Sequence, residues 1–423
     1  MASPAAPLAR RLGTFDAVVI GLGSMIGAGV FAVFGPAAHA AGSGLLIGLG
    51  VAALIAYCNA VASAQLAAVY PTSGGTYIYG RERLGPWAGF TAGWGFVIGK
   101  TASCAAMALT FASYAIPGSV WPQRLLAVIA VIGLASLNYR GITRTAQLTR
   151  ILVVISLAAL AVVVVGIAVG GRSDLDHLDP GAMLSAGPYG ILQSAGLLFF
   201  AIAGYARIAT LGEEVRDPQG TIPRAIPIAL MITVAIYLIV AIAALAAAGP
   251  GLLASSPAPL NAAVRAAGAP GLAVAVRIGG AVASLGALLS LIAGVGRTSL
   301  AMARNRDLPS WLADVHSRFQ VPHHAETAVA AVVCVAVALF DLRSVIGFSS
   351  FGVLVYYAIA NASAFTQPPQ DRRWPRSLNV LGAAGCLVLV ATLPLVAVVA
   401  GLVMFGVGLG GRALVLARRR NDR

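Results

Sequence analysis

Apolar residues run in blocks along this chain, separated by short clusters rich in Arg, Asp, Gly and Pro. Twelve blocks come close to the roughly 20 residues that a helix needs to cross a hydrocarbon layer of about 30 Å. They cover 16–40, 42–68, 86–115, 122–138, 147–170, 190–212, 225–249, 271–303, 326–340, 344–363, 377–396 and 398–416. The pattern predicts an all-α integral membrane protein with twelve transmembrane helices. The block 326–340 is the shortest, and losing it would make the count odd.

Composition agrees with the pattern. A chain of 423 residues that is 59% hydrophobic and 10% charged cannot bury its apolar surface in one water-soluble globule. The net charge of +14 is unevenly placed: twenty arginines fall in the segments on the N-terminal side of the twelve blocks, and only Arg124, Arg172, Arg265 and Arg343 fall opposite. Short cytoplasmic loops collect Lys and Arg, so both termini are expected in the cytoplasm and the chain in the cell (plasma) membrane. The charge then serves orientation and contact with anionic lipids. No soluble domain gathers it, so nucleic acid is not an expected partner.

The N-terminal MASPAAPLARR lacks the apolar stretch and cleavage site of a removed signal peptide, and the first helix is expected to target the chain itself. Cys58, Cys104, Cys334 and Cys386 fall within predicted spans without metal or redox spacing, and read as small core residues.

Glycine breaks the apolar pattern at two corresponding places. The first block contains GLGSMIGAGVFAVFGP (21–36), and the sixth contains LLFFAIAGYARIATLGEEV (197–215). A lone pair such as Gly23 and Gly27 only lets two helices approach closely. Paired interruptions in two halves of a chain, however, point to a transporter site at the bilayer midplane. Unwound backbone in oil leaves amides and carbonyls unpaired unless they meet a ligand or line a cavity. Freed N–H groups suit a carboxylate and freed carbonyls an ammonium, so one such site matches both ends of an α-amino acid.

Four motifs occur in order: SMIGAGVF (24–31), YPTSGGTYIYGRERLGPWAGFTAGW (70–94), EEVRDPQGTIPRAI (213–226) and AMARNRDLPSWLADVHSRF (301–319). Together they resemble the amino acid–polyamine–organocation permeases, closest to the basic amino acid/polyamine antiporter and cationic amino acid transporter branch. The resemblance spans about residues 14 to 365. It implies a LeuT-like inverted 5+5 repeat with discontinuous helices 1 and 6, plus two C-terminal helices. The chain then divides into a tail (1–13), a first repeat (14–170), an outer loop (171–189), a second repeat (190–366), a cytoplasmic loop (367–376), two helices (377–416) and a basic tail (417–423). By the family pattern the substrate site involves Ser24 and Met25. Backbone groups of Ile26, Gly27, Ala28 and Gly29 receive the carboxylate, and carbonyls near Met25 and of Phe200, Ala201 and Ala203 the amino group. Gly204 permits the second break, and Tyr205 either closes over the substrate or packs on the first helix.

One departure bears on coupling. Related cationic amino acid transporters carry a lysine in span five that substitutes for sodium; the aligned stretch ILVVISL has Ser156 there. The chain's only lysine, Lys100, sits inside span three. A lysine in the membrane is expensive and functional by default. Coupling or substrate contact is the sharper reading; satisfaction by backbone carbonyls and snorkelling are the plainer ones. Arg207, Arg297, Glu213 and Glu214 are candidates for an inner gate.

No Asp or Glu stands in the middle of a predicted span, which argues for a neutral amino acid over a cationic one or a polyamine. Ser284 and Ser290 are the hydroxyls available for sodium, but a serine in a membrane helix usually bonds its own preceding carbonyl. Proton coupling or exchange is therefore preferred to sodium. His39 lies near the outer end of span one, and His323 and His324 read as solvated loop residues. No metal, cofactor or enzyme motif is present, and the oligomeric state is open. The expectation is a secondary-active amino acid permease working by alternating access.

Overall fold

A computed structural model of the chain describes residues 12–71, 74–140, 146–212 and 214–421. The first apolar block folds as three helices in series: α1 (Thr14–Met25), α2 (Ala28–Ala32) and α3 (Phe34–Ala41). α4 (Leu45–Val69) fills the second, and the short α5 (Thr76–Leu84) precedes α6 (Pro86–Ala115), α7 (Val120–Tyr139) and α8 (Ala146–Gly170). After the small α9 (Pro180–Leu184), the sixth block folds as α10 (Gly187–Ile202) and α11 (Ala206–Ala209). Then come α12 (Pro218–Ser255), α13 (Pro259–Ala266), α14 (Ala273–Arg304), α15 (His323–Leu339), α16 (Leu342–Phe365), α17 (Arg376–Thr392) and α18 (Leu395–Asn421).

Among the described residues, ten helical stretches are long and apolar enough to cross a membrane. α15 and α17, with 17 residues each, are shorter. At 1.5 Å per residue they rise about 25 Å, the lower limit for a span. A count of twelve therefore rests on these two. α12 outruns its block because Gly249, at φ 67°, turns the backbone and Pro250 starts a further helical turn. The His177 ring fills the place of a Gly249 side chain, 2.8 Å from where a Cβ would stand.

α6 is the axis of the bundle, packed between α14 and α16. Small residues make the approach possible. A Cβ on Gly95 would stand 2.8 Å from the Gly352 carbonyl of α16, and one on Gly280 of α14 would stand 2.6 Å from the Tyr114 ring of α6. Outward faces of α7, α8, α12 and α18 expose Ile132, Val154, Ile239 and Leu402, as a surface solvated by lipid requires. Helix ends are fixed by polar contacts. Arg277 donates to the carbonyls of Tyr114 and Ala115 at the C-terminus of α6 (2.9 and 2.6 Å), where a cation also suits the helix dipole. The end of the bundle carrying Leu12, Arg81, Asp307 and Arg412 is called the basic end below.

Candidate functional site

The two interruptions differ in kind. At the first, Ile26 (φ −84°, ψ 65°) and Gly27 (φ −122°, ψ −139°) leave the helical region, and α2 starts anew at Ala28. Ile26 N–H still donates to the Leu22 carbonyl (2.6 Å) and Gly27 N–H to that of Met25 (2.9 Å). The first amides of α2 have no partner within their own helix. At the second, Ala203–Tyr205 tighten into one 3-10 turn with backbone angles that stay near the helical region, so α10 and α11 run on with little unwinding.

Neither interruption uses glycine for a left-handed backbone. Glycine lets the interruptions touch. A Cβ on Gly204 would lie 2.3 Å from the Ser24 carbonyl oxygen, and one on Gly29 would lie 2.8 Å from Ala201 Cα. Each element thus presents a glycine to the backbone of the other. Gly27 presses on α14 instead, where its Cβ would meet that of Ala287 at 2.9 Å.

Buried tyrosines hold the carbonyls at this junction. The Tyr237 hydroxyl, from α12, lies 2.6 Å from the Met25 carbonyl oxygen and 3.3 Å from that of Ala201. The Tyr357 hydroxyl, from α16, donates to the Ala203 carbonyl at 3.1 Å. Tyr114 donates to the Phe31 carbonyl at 2.8 Å, in the last turn of α2. Sequence reasoning missed these three residues. Their signal was a tyrosine alone in an apolar block, whose O–H must find a partner once buried. Tyr205 is buried against Tyr357, with ring centroids 5.0 Å apart. Phe200, Ala201 and Ala203 are likewise buried.

A cavity of about 20 Å³, room for one water molecule, lies between α1, α8 and α14. Ile26, Gly27, Ser156, Ala287 and Ser290 are among its walls, so Ser156 stands directly beside the first interruption. Ser24, Ser156 and Ser284 each donate to the carbonyl four residues back, at 3.0, 2.8 and 2.7 Å. Ser290 is exposed.

Lys100 does not line that cavity. It is buried on α6 in the stripe of Gly93 and Tyr114, which meet Met302 and Gly280 of the antiparallel α14. That register puts Lys100 about two helical turns, or ~12 Å, toward the basic end from Ala287. None of the ion pairs among the described residues includes Lys100.

Residues 12–408 match the amino acid permease family. The chain belongs to this family. It is a membrane transporter and not an enzyme. It is 58% identical over 418 residues to an uncharacterized transporter of Mycobacterium tuberculosis (strain ATCC 25618 / H37Rv), covering 98% of this chain and 93% of the relative. Similarity extends to the branched-chain amino acid permease BcaP of Bacillus subtilis (strain 168), 25% identical over 95% of this chain and 92% of the relative. It extends also to cationic amino acid transporter 7, chloroplastic, of Arabidopsis thaliana, 28% identical over 84% of this chain and 65% of the relative.

At the basic end the permease is tied across elements. Leu12 pairs with the strand-like segment after α11: its N–H donates to the Glu214 carbonyl (3.1 Å) and its carbonyl accepts from Arg216 N–H (3.0 Å). Arg150 of α8 pairs with Asp16 of α1. Asp307, 5% exposed at its side chain, accepts hydrogen bonds from Tyr77 (2.8 Å) and Arg81 (3.3 Å) of α5 and forms an ion pair with Arg412 (2.8 Å) of α18. The Arg412 guanidinium also lies 4.6 Å from the Phe90 ring centroid and 5.0 Å from that of Trp87. Burial, then the hydrogen bond to Asp307, pushes the Tyr77 hydroxyl well above its ordinary pKa.

The gating candidates are near one another but unpaired by salt bridges. Arg207 feels the charges of Arg297 and Glu214, and its guanidinium donates to the Thr210 hydroxyl at 3.4 Å. No ion pair among the described residues joins them. Glu213 lies outside the described residues. His323 and His324 are not simply solvated: with His316 they form a ring cluster against Tyr139 of α7. His324 Nδ1 lies 3.3 Å from the Asp314 carboxylate.

Proposed function

We propose that the permease moves a neutral α-amino acid with an apolar side chain across the cytoplasmic membrane by alternating access. The supporting observation is the junction itself. The amides of Ala28 and Gly29, at the start of a fresh helix, suit a carboxylate, while those of Ile26 and Gly27 are held by the Leu22 and Met25 carbonyls. The surrounding carbonyls, already holding tyrosine protons, keep a second lone pair for one ammonium. Beyond these polar ends the walls are Ile26, Phe200, Ala201 and Ala203, with no carboxylate to balance a second positive charge. The name of the Bacillus relative, a branched-chain permease, fits this reading; the cationic transporters named among the Arabidopsis relatives favour the alternative of a cationic substrate.

In this reading the chain makes twelve spans with the basic end in the cytoplasm, as two five-helix repeats (14–170 and 190–366) and two added helices (377–416). α1, α2, α10 and α11 move against the remaining helices. The one-water cavity at Ser156 is too small for the substrate and suits the coupling step, with a proton or exchange preferred over sodium because, among the described residues, the hydroxyls of Ser156 and Ser290 are the only side-chain oxygens in its lining. Uptake of radiolabelled amino acids into proteoliposomes, with and without an imposed pH gradient, tests this. Saturable uptake of leucine, isoleucine or valine, lost in Gly27→Leu, is expected. Uptake confined to lysine, arginine or polyamines would refute the substrate class.

A further inference from the structure

A file of buried polar side chains leads from the second interruption toward the basic end, between α4, α16 and α17. It begins at Tyr205 and Tyr357, the latter bonded to the Ala203 carbonyl. One turn along α16, Asn361 Nδ2 donates to the Tyr357 carbonyl (2.9 Å) and to Asn59 Oδ1 of α4 (2.6 Å). The Cys386 thiol of α17 donates to the same Asn59 oxygen at 3.4 Å. Further along are Ser63 of α4 and Asn379 of α17, the latter one turn beyond Gly382, whose missing side chain leaves room for Asn361. The file ends at Gln65 and Gln367. There the Arg373 N–H reaches Gln65 Oε1 (3.4 Å), and Arg372 donates to the Gln367 carbonyl (2.7 Å).

These side chains up to the glutamines are at most 2% exposed. Their hydrogen bonding is nevertheless incomplete. Asn59 Nδ2, Ser63 Oγ, Gln65 Nε2, Asn361 Oδ1 and Asn379 Oδ1 lack a protein partner, and so do both amide atoms of Gln367. Buried amides and hydroxyls in native interiors are bonded, to protein or to ordered water, and a buried water typically serves about three such groups. From Asn59 to Ser63 the helix rises about 6 Å on one face, within reach of one or two waters; Gln65, turned off that face, meets Arg373 just before the start of α17.

We propose that this file holds a chain of bound water that connects the second interruption with solvent at the basic end, separately from the cavity beside Ser156. Its ligand is water, not an ion. Amides and hydroxyls line it, and the two arginines at its mouth oppose entry of cations. It keeps water at hand for Tyr205, Tyr357 and the Ala203 carbonyl while the helices around them are closed.

Hydroxyl radicals made from bound water by a synchrotron pulse label the side chains that the water touches, so mass spectrometry of the full permease in detergent, without substrate, reads the file directly. Tyr205 and Tyr357 should be labelled about tenfold faster than Tyr114 and Tyr237, which are equally buried but hydrogen-bonded to carbonyls away from the file. Cys386 should be oxidised alongside them. Equal protection of all four tyrosines would overturn the proposal. Asn361→Leu should slow labelling at Tyr205; because the decisive comparison is made within the unaltered protein, it does not depend on that variant folding. The readout involves no transport, so it stands or falls apart from the substrate class.

Discussion

Gly204 and Tyr237 show how the junction is specified by single residues. Gly204→Ala forces a methyl group to within 2.3 Å of the Ser24 carbonyl oxygen, which is backbone and cannot swing aside. Transport should be abolished, and the melting temperature should fall by an amount corresponding to about 1–3 kcal/mol, the usual cost of overpacking. Tyr237→Phe keeps the ring but takes the hydroxyl from the Met25 and Ala201 carbonyls, leaving Met25 only the Gly27 N–H, which should cost about 0.5–1.5 kcal/mol in thermal unfolding. The glycines were legible in the sequence as interruptions. Their use for mutual contact was not, because Gly29 meets Ala201 and Gly204 meets Ser24 from opposite halves of the chain, and no local pattern records such a pairing. Tyr237 and Tyr357 were hidden for the same reason: each bonds a carbonyl more than 150 residues away in sequence.

At the scale of elements, span ends read from apolar blocks fall close to the helix ends, as with 86–115 and α6, since a helix in oil stops where the apolar residues stop. Long-range polar ties were not legible. Asp307 lies in a loop motif that the sequence shows only as polar, yet it joins α5 and α18 across the bundle. Asp307→Asn should leave Arg412 buried beside two rings without its counter-charge, a loss of about 3 kcal/mol by analogy with broken buried pairs. Amide exchange in α5 and in the last turns of α18 should quicken accordingly. The histidine cluster gives the loop before α15 a pH dependence. His316 Nδ1 accepts from the N–H groups of Arg318 (3.2 Å) and Phe319 (3.3 Å). Burial first, then His324 and His316, lowers the pKa of His323, outweighing Asp314. A base whose pKa falls on docking favours the docked loop above its free pKa, about 6.5, and less so as pH drops below it. The protection of the amides of residues 316–321, taken against the intrinsic exchange rate at each pH, should therefore be higher at pH 7.5 than at pH 5; Arg318, stacked on Phe319, and Asp314, facing His324, are the other charges at the cluster.

At the scale of the whole molecule, an apolar bundle closes two glycine-bearing interruptions against each other around a junction polar through its backbone and tyrosine hydroxyls, with no carboxylate on it among the described residues. That arrangement matches a zwitterion with an apolar side chain. A ligand that binds only the folded state raises its stability by RT ln(1 + [L]/Kd), about 2.7 kcal/mol at a hundredfold excess over Kd. The most direct measurement is the thermal stability of the purified permease in detergent against neutral amino acids, lysine, arginine, polyamines and sodium. A rise in melting temperature with leucine, isoleucine or valine, absent in Gly27→Leu, is predicted. A rise with polyamines or cationic amino acids alone, or one that persists unchanged in Gly27→Leu, would contradict the account.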